Sequence, residues 1–323
     1  MDISVDVGGT FTDLVIRDDA GQILAFKSPT TPDNLADGVM DGLALFAAER
    51  GVTLDDVLAQ THRFAFGTTA ATNAILETKA ARTALLTTEG FRDTLLIREG
   101  GKDDSYNIYQ SYPPPYIPRA LTFEISERVS SQGEIITPRS EASVRAALDR
   151  CREEDVQRIA VSLLWSIANP DHEQRIGELI ASTLPAVPFS LSHRVNPCIR
   201  EYRRTSATAL DASLKPIVNS SVRSIESRLA THGFKGTLSY VTSNGGQTSS
   251  REIVEKPVYL CFSGPSAAPE SGRRFAEVES LGEGNVVTVD MGGTSFDVTI
   301  VTDGNIPRHR EGKIAGHVCG VPS

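Results

Sequence analysis

The stretch "ISVDVGGTFTDLVI", residues 3–16, has a second copy in "VTVDMGGTSFDVTI", residues 287–300. The two copies are identical at seven of their fourteen positions, including both aspartates, both glycines and the threonine after them. In each copy an apolar run with period-two alternation enters Gly-Gly, and a second run leaves it. This pattern predicts two strands joined by a tight turn. We therefore expect a β-hairpin at each copy.

The residue types in these copies suit a phosphate and its metal ion. Ile3, Val5 and Val7 face one side of the first strand, whereas Asp6 faces the other, with Asp290 in the equivalent register. A carboxylate at the end of a strand can hold Mg²⁺, usually through water. The two glycines let the backbone approach a ligand and present N–H groups to an anion, and the threonine hydroxyl adds a donor.

Two such loops could hold a polyphosphate and its metal from both sides, the arrangement by which electrostatic positioning promotes phosphoryl transfer. The alternative is that Gly-Gly only turns each hairpin and the aspartate only caps it. One copy alone leaves this alternative open, and the repeat favours the phosphate site.

Composition limits the other functions. The chain has 323 residues, 40% hydrophobic residues and a net charge of −9, which predicts two domains and argues against nucleic-acid or anionic-membrane binding. No apolar run approaches the roughly 20 residues of a membrane span, and residue 1 leads directly into a strand pattern. We therefore expect a cytoplasmic protein. The four cysteines are far apart, which argues against a clustered metal site.

Strand and helix patterns alternate along most of the chain. Apolar spacing predicts a helix over 32–50, and "RFAFGTTAATNAILE" reads as a strand, a Gly-Thr-Thr turn and a helix start. A helix over 140–154 leads to a buried strand over 158–165, and one or two long helices lie within 196–233. Residues 98–119, rich in Pro and Tyr, read as a surface loop that faces either a partner or the chain itself. The fold class is therefore α/β, with mixed sheets flanked by helices.

Motifs from end to end resemble one family. The chain is similar to hydantoinase A and 5-oxoprolinase and to their acetone and acetophenone carboxylase relatives, within the actin-like ATPase superfamily. The segments that carry the resemblance are "DVGGTFTDLVI", "FGTTAATNAILETKAARTALLTTEGFRDTLLI", "PRALTFEISERV", "ANPDHE", "REYRRTSATALDASLKPIV", "TSNGG", "FSGPSAA" and "DMGGTSFDV".

The resemblance implies actin-like (ribonuclease H-like) lobes. Residues 1–195 would form the hydantoinase/oxoprolinase N-terminal domain with the first phosphate loop. Residues 196–323 would begin the hydantoinase A domain with the second loop. Because A subunits of the family continue about as far again, the resemblance also implies that the second lobe is incomplete here.

The resemblance further implies an enzyme that uses ATP and Mg²⁺ to phosphorylate the carbonyl oxygen of a cyclic amide before ring opening. Asp6 and Asp290 would hold the metal and act in catalysis together with Thr10 and Thr294. The residues implied in nucleotide binding are Gly8, Gly9, Thr10, Thr12, Asp13, Gly292, Gly293, Thr294 and Gly264. The candidates for lining the substrate pocket are Thr68, Thr69, Asn73, Asn244, Gly245 and Gly246, for which turn formation is an equal alternative.

Two other functions stay open at this stage. The chain could be the ATP-using subunit of a ketone carboxylase, which shares every motif, or a nucleotide-binding module without catalysis. The resemblance implies a hydantoinase B-type partner subunit, self-association, or both. Many members of the family carry His immediately before Gly-Thr-Thr, whereas this chain has Phe66, so no histidine base is expected there.

Overall fold

The computed structural model describes residues 1–31, 33–77, 81–100, 106–279, 284–291, 296–308 and 312–321. The strands are β1 (Asp2–Val7), β2 (Phe11–Arg17), β3 (Ile23–Pro29), β4 (Arg63–Thr68), β5 (Thr83–Thr88), β6 (Thr122–Ile125), β7 (Arg128–Val129), β8 (Ile135–Thr137), β9 (Arg158–Ser162), β10 (Phe189–Leu191), β11 (Thr237–Val241), β12 (Gln247–Ser249), β13 (Val286–Met291), β14 (Phe296–Val301), β15 (Lys313–Ile314) and β16 (His317–Val318). The helices are α1 (Leu35–Arg50), α2 (Leu54–Ala59), α3 (Ala70–Leu76), α4 (Thr94–Ile97), α5 (Glu141–Glu153), α6 (Asp171–Thr183), α7 (Ser192–Val195), α8 (Glu201–Thr231), α9 (Ser250–Glu255) and α10 (Ser263–Val278). The α/β fold class is confirmed.

The chain forms two compact units. Unit 1 contains Met1–Ala74 and Pro216–His309, and unit 2 contains Ile75–Lys215 and Arg310–Val321. The division falls inside α8, at Pro216, so each unit is built from separate stretches of sequence. The domains predicted from the sequence, 1–195 and 196–323, are continuous stretches, whereas each unit combines separate stretches. The boundary between the predicted domains stays a prediction.

Unit 1 is built on a six-stranded mixed sheet in the order β12-β11-β4-β1-β2-β3. β4 runs parallel to both β1 and β11, and the pairs β1–β2, β2–β3 and β11–β12 are antiparallel. The carboxyl ends of β1, β4 and β11 therefore meet at one edge of the sheet, which we call the carboxyl edge. Such edges are where open α/β sheets place their ligands.

Helix α1 packs on one face of the six-stranded sheet of unit 1. Its buried residues Val39, Leu43 and Phe46 repeat at helical spacing and pack towards β2 and β3. Gly51 ends the helix in the left-handed conformation, with φ of 65°, which a residue without Cβ adopts freely. The helix predicted over 32–50 is confirmed, although it begins at Leu35.

Both repeated segments form β-hairpins in the same register. Asp6 lies opposite Asp13 in β1–β2, and Asp290 lies opposite Asp297 in β13–β14. The expected hairpins are confirmed. Within each hairpin the backbone groups of one strand pair with those of the other.

The apolar faces of the two hairpins differ in exposure. Ile3, Val5 and Val7 are buried in the first copy, whereas their counterparts in the second remain in contact with solvent. The exposed fractions are 63% for Val287, 58% for Val289 and 79% for Met291. Together with three exposed apolar residues of β14 they form a surface that we call the open hairpin face; these residues are Phe296, Val298 and Ile300.

Unit 2 contains a four-stranded parallel sheet in the order β10-β9-β5-β6. The sequence predicted a strand over 158–165, but β9 ends at Ser162. The amide of Leu163 instead donates to Glu173 Oε1 at 2.9 Å, and the amide of Leu164 donates to Thr88 Oγ1 at 3.0 Å. Side-chain acceptors thus replace a neighbouring strand.

The long helix predicted within 196–233 is confirmed as α8, one helix of 31 residues. In the part of the chain that the structure describes, no helix is both long and apolar enough to cross a membrane.

Candidate functional site

The carboxyl edge of unit 1 brings three of the predicted loops together. Gly8–Thr10 follow β1, Gly67–Thr69 close β4, and Ser243–Gly246 follow β11. The Thr69 amide donates to the Val7 carbonyl at 3.2 Å, which joins the first two loops. The N-terminal turn of α10 joins the second and third, because Ser263 Oγ donates to Thr68 O at 2.8 Å and Ser266 Oγ to Thr242 O at 3.0 Å.

The first phosphate loop is a tight turn with an exposed tip. The Gly8 amide donates to Phe11 O at 3.0 Å, and Gly9 and Thr10 are exposed. Thr12 lies on the opposite side of the strand and is buried, with its Oγ1 at 3.2 Å from Thr30 Oγ1. This placement gives Thr12 a supporting contact beneath the loop, and the nucleotide contact inferred for it stays a prediction.

Asp6 lies on the open face of the sheet among other carboxylates. The pKa of Asp6 is raised above its usual value, first because nearby protein atoms limit hydration of its charge and then because Asp13 and Asp290 are negative. Asp6 is nevertheless exposed to solvent. Neighbouring protein atoms therefore surround part of the carboxylate while water reaches the rest. Asp13 also pairs with Lys27 Nζ at 3.1 Å.

Gly67 leaves space beside Asp6. The two residues are register partners in β1–β4, and a Cβ at Gly67 would lie 3.2 Å from Asp6 Oδ1. That separation is tighter than most Cβ contacts, so a side chain here would crowd the carboxylate. The absence of a side chain keeps one side of Asp6 open to a ligand.

The threonines and amides predicted to contact substrate take part in local hydrogen bonds. Thr68 Oγ1 accepts from the Ala70 amide at 3.1 Å, and Asn73 Nδ2 donates to Thr69 Oγ1 at 3.3 Å. Asn244 Oδ1 accepts from the Gly246 amide at 2.9 Å, which closes a side-chain turn. Turn and cap chemistry therefore accounts for these side chains, and their contact with substrate stays a prediction.

Helix α10 begins beside the Gly-Thr-Thr turn. A Cβ at Gly264 would lie 3.2 Å from Thr69 Cγ2, so the helix approaches the turn closely. Phe262, the residue before the helix, has a φ of 62° and adopts the left-handed conformation. The first amides of a helix have no partner within the helix and carry a partial positive charge, which suits an anion.

The second phosphate loop is described only in part. Asp290 is the next-to-last residue of β13 and Asp297 is the second residue of β14. The predicted residues Gly292, Gly293 and Thr294 lie outside the described residues. Within the described ranges no group of three or more His, Cys, Asp or Glu side chains is arranged to hold a metal ion. The Mg²⁺ site inferred at Asp6 and Asp290 therefore stays a prediction.

The structure shows roles for two residues of this region that the sequence did not indicate. Thr30, just after β3, binds the first loop through both its amide and its hydroxyl. Phe66 is fully buried, and its ring lies 5.5 Å from that of Tyr240. Position 66 thus belongs to the core of unit 1 and not to the exposed part of the carboxyl edge.

The mixed α/β fold and the paired Asp-Gly-Gly hairpins are those of actin-like ATPase lobes. The chain belongs to the hydantoinase/oxoprolinase family: residues 2–184 match its N-terminal region, and residues 204–323 match the part described as hydantoinase/oxoprolinase.

Individual relatives align with nearly all of this chain. It is 37% identical to caprolactamase subunit alpha of Pseudomonas jessenii, over 99% of this chain and 46% of the relative. It is 34% identical to the acetophenone carboxylase gamma subunit of Aromatoleum aromaticum, over 94% of this chain and 43% of the relative. The chain therefore spans about half the length of these curated relatives.

Two solved structures share the fold. The ATP-dependent caprolactamase from Pseudomonas jessenii superposes with a TM-score of 0.87 at 37% identity, over 100% of this chain and 47% of that one. A nucleotide-free acetone carboxylase superposes with a TM-score of 0.89 at 27% identity, over 100% of this chain and 46% of that one.

Proposed function

We propose that this chain carries the nucleotide site of an enzyme that uses ATP to phosphorylate the carbonyl oxygen of a cyclic amide before the ring opens. The observation that carries the proposal is that the two hairpins pair their aspartates in the same register, Asp6 with Asp13 and Asp290 with Asp297. The negative charge of Asp290 also contributes to the raised pKa of Asp6. The 37% identity to a caprolactamase subunit supports the choice of a cyclic amide.

The residues present fit Mg²⁺ and a polyphosphate. The raised pKa of Asp6 means that its negative charge lacks compensation, which a divalent cation would supply. Asp6 and Asp290 would hold the metal through water, and the bound ion would neutralise the charge that develops on the transferring phosphoryl group. The space beside Gly67 keeps the Asp6 carboxylate accessible for this role.

The chain's own groups then position the reactants. The Gly8 amide closes the turn by donating to Phe11 O, so the backbone amides of Gly9 and Thr10 would bind the phosphate oxygens. The N-terminal turn of α10 would add positive potential at Gly264. Thr10 and Thr294 would donate hydroxyl hydrogen bonds to the phosphoryl group. Because the side chains of the Gly-Thr-Thr and Asn-Gly-Gly turns are engaged locally, these turns would contact substrate mainly through their backbone.

A second candidate function is the ATP-using subunit of a ketone carboxylase. The TM-score of 0.89 with acetone carboxylase and the 34% identity to an acetophenone carboxylase subunit favour it. ATP turnover that requires both a ketone and bicarbonate would support this function, and turnover that requires only a lactam or hydantoin would support the first. In either function a hydantoinase B-type partner subunit, or a second copy of the chain, would complete the reaction.

The test is Mg-ATP binding to the chain by titration calorimetry, compared between the wild type and Asp290→Asn. We expect the substitution to weaken binding by about a hundredfold, because it removes a charge that faces the metal. Asp41→Asn, on the exposed side of α1, is the matched control and should bind as the wild type does. Equal affinity of all three proteins would exclude the assignment of Asp290.

A further inference from the structure

We infer that Thr30 is a positioning residue that holds the first phosphate loop in its ligand-binding conformation. The inference rests on the proposed function for its effect on ATP, and on geometry alone for its effect on the loop. Thr30 follows β3 and is half-buried within unit 1.

Thr30 contacts the loop at both ends. Its amide donates to the Thr10 carbonyl at 2.9 Å, and its Oγ1 donates to the Gly8 carbonyl at 3.0 Å. One residue thereby fixes the orientation of two peptide units, Gly8–Gly9 and Thr10–Phe11, which flank the unit between Gly9 and Thr10. Those peptide units determine where the loop amides point, and in the proposed function the amides bind phosphate.

The hydroxyl of Thr12 completes the arrangement. A hydroxyl has one proton, and that of Thr30 is donated to Gly8, so the contact of 3.2 Å with Thr12 Oγ1 requires Thr12 to be the donor. The chain of hydrogen bonds therefore runs from Thr12 to Thr30 and on to the loop. Thr12 is fully buried, which excludes water as a replacement partner on that side.

The residues on either side of Thr30 are held against helix α1. Ser28 Oγ donates to Gly38 O at 2.6 Å, and the Gly38 amide donates to Thr31 Oγ1 at 2.9 Å. A Cβ at Gly38 would lie 2.8 Å from the Pro29 carbonyl oxygen, so only glycine allows α1 to approach this segment so closely. The first turn of α1 thus supports the segment that supports the loop.

The test compares Thr30→Val, Thr30→Ser and the control Thr61→Val. Valine keeps the shape and the amide of Thr30 but removes the hydroxyl, whereas serine retains it. Thr61 is also a buried threonine of unit 1, and its Oγ1 donates to Val57 O at 2.8 Å just before β4 begins, away from the carboxyl edge. Each valine variant therefore loses a hydroxyl-to-carbonyl hydrogen bond, but at a different place, and Thr30→Val also loses the contact with Thr12.

Two quantities are measured: hydrogen–deuterium exchange of residues 8–12 without nucleotide, and the dissociation constant of Mg-ATP by calorimetry. We expect Thr30→Val to speed exchange of the loop and to weaken binding, each by about tenfold. Thr30→Ser should restore both to near wild-type values. Thr61→Val should change neither, although its thermal midpoint should fall because a buried hydrogen bond is lost.

Loop exchange in Thr30→Val that matches Thr61→Val would overturn the positioning role, as would equal loss of affinity in the two variants. A wild-type chain that binds no Mg-ATP would overturn the proposed function and the effect inferred on affinity. In that case the exchange comparison would still decide whether Thr30 holds the loop.

Discussion

The surroundings of Asp6 disfavour the ionised form of its carboxyl group. Limited hydration and the carboxylates of Asp13 and Asp290 raise its pKa, so the native state keeps a proton that the unfolded chain has already lost. The free energy of unfolding therefore falls as pH rises from the usual pKa of 3.8 through the raised one. Above that range ionised Asp6 destabilises the fold, as expected of a residue kept for binding.

We predict that Asp6→Asn raises the midpoint of thermal unfolding at pH 7 while weakening Mg-ATP binding by about a hundredfold. The gain in midpoint should shrink as the pH falls through the raised pKa, because wild-type Asp6 then becomes neutral as well. Thermal unfolding followed by circular dichroism at several pH values measures this. A lower midpoint at pH 7 would show that the carboxylate stabilises the fold and would contradict the prediction.

Individual residues of the site differ in how visible they are in the sequence. Asp6 and the glycines were identified because they recur in both copies and belong to a family motif. The role of Thr30 could not be predicted, because a threonine after a strand belongs to no sequence motif. Its role depends on the first phosphate loop, which only the fold brings beside it. The exchange of His for Phe66 was visible, but its burial against Tyr240 was not.

Among the elements, the repeated hairpins were the most predictable. Their period-two alternation and Gly-Gly turn are local signals, and the structure reproduces both strands of each hairpin. The strand over 158–165 was predicted too long, because its last apolar residues bind Glu173 and Thr88 side chains from distant segments. Local sequence carries no information about such partners.

Helix α10 supports the second hairpin through a glycine. Gly272 is buried and packs directly on Thr288 of β13, where a Cβ would clash with Thr288 Cγ2. We predict that Gly272→Leu lowers the free energy of unfolding by about 2 kcal/mol, because the helix must move away from the strand. Urea unfolding measures the loss.

The control for this prediction is Ser271→Leu, the adjacent and exposed position of the same helix. It should leave the free energy of unfolding almost unchanged, since a surface substitution creates no clash. Equal effects of the two substitutions would mean that leucine disturbs the helix itself and not its packing on β13.

At the scale of the whole molecule, the described residues of the candidate site all belong to unit 1. Unit 2 has its own buried polar centre at Glu173, whose carboxylate accepts from Ser192 Oγ at 2.6 Å and from His193 Nδ1 at 2.6 Å. Neither the grouping of distant stretches into units nor this centre was predictable. Both depend on tertiary contacts between segments far apart in the sequence.

We predict that Glu173→Gln destabilises the protein by about 3 kcal/mol yet leaves Mg-ATP affinity unchanged. The amide group of glutamine would face the donors that the carboxylate now accepts from. Glu178→Gln on the exposed face of α6 is the control and should have little effect on stability. Calorimetric binding below the unfolding transition measures affinity, and a large loss of it would contradict the prediction.

The open hairpin face also affects how the purified chain behaves in solution. We expect its apolar side chains on β13 and β14 to favour association between copies of the molecule, and the net charge of −9 to oppose it. Salt screens that repulsion over distances of about 10 Å at 0.1 M. Light scattering should therefore increase with ionic strength, and dilute low-salt buffer is the condition in which this chain stays monodisperse.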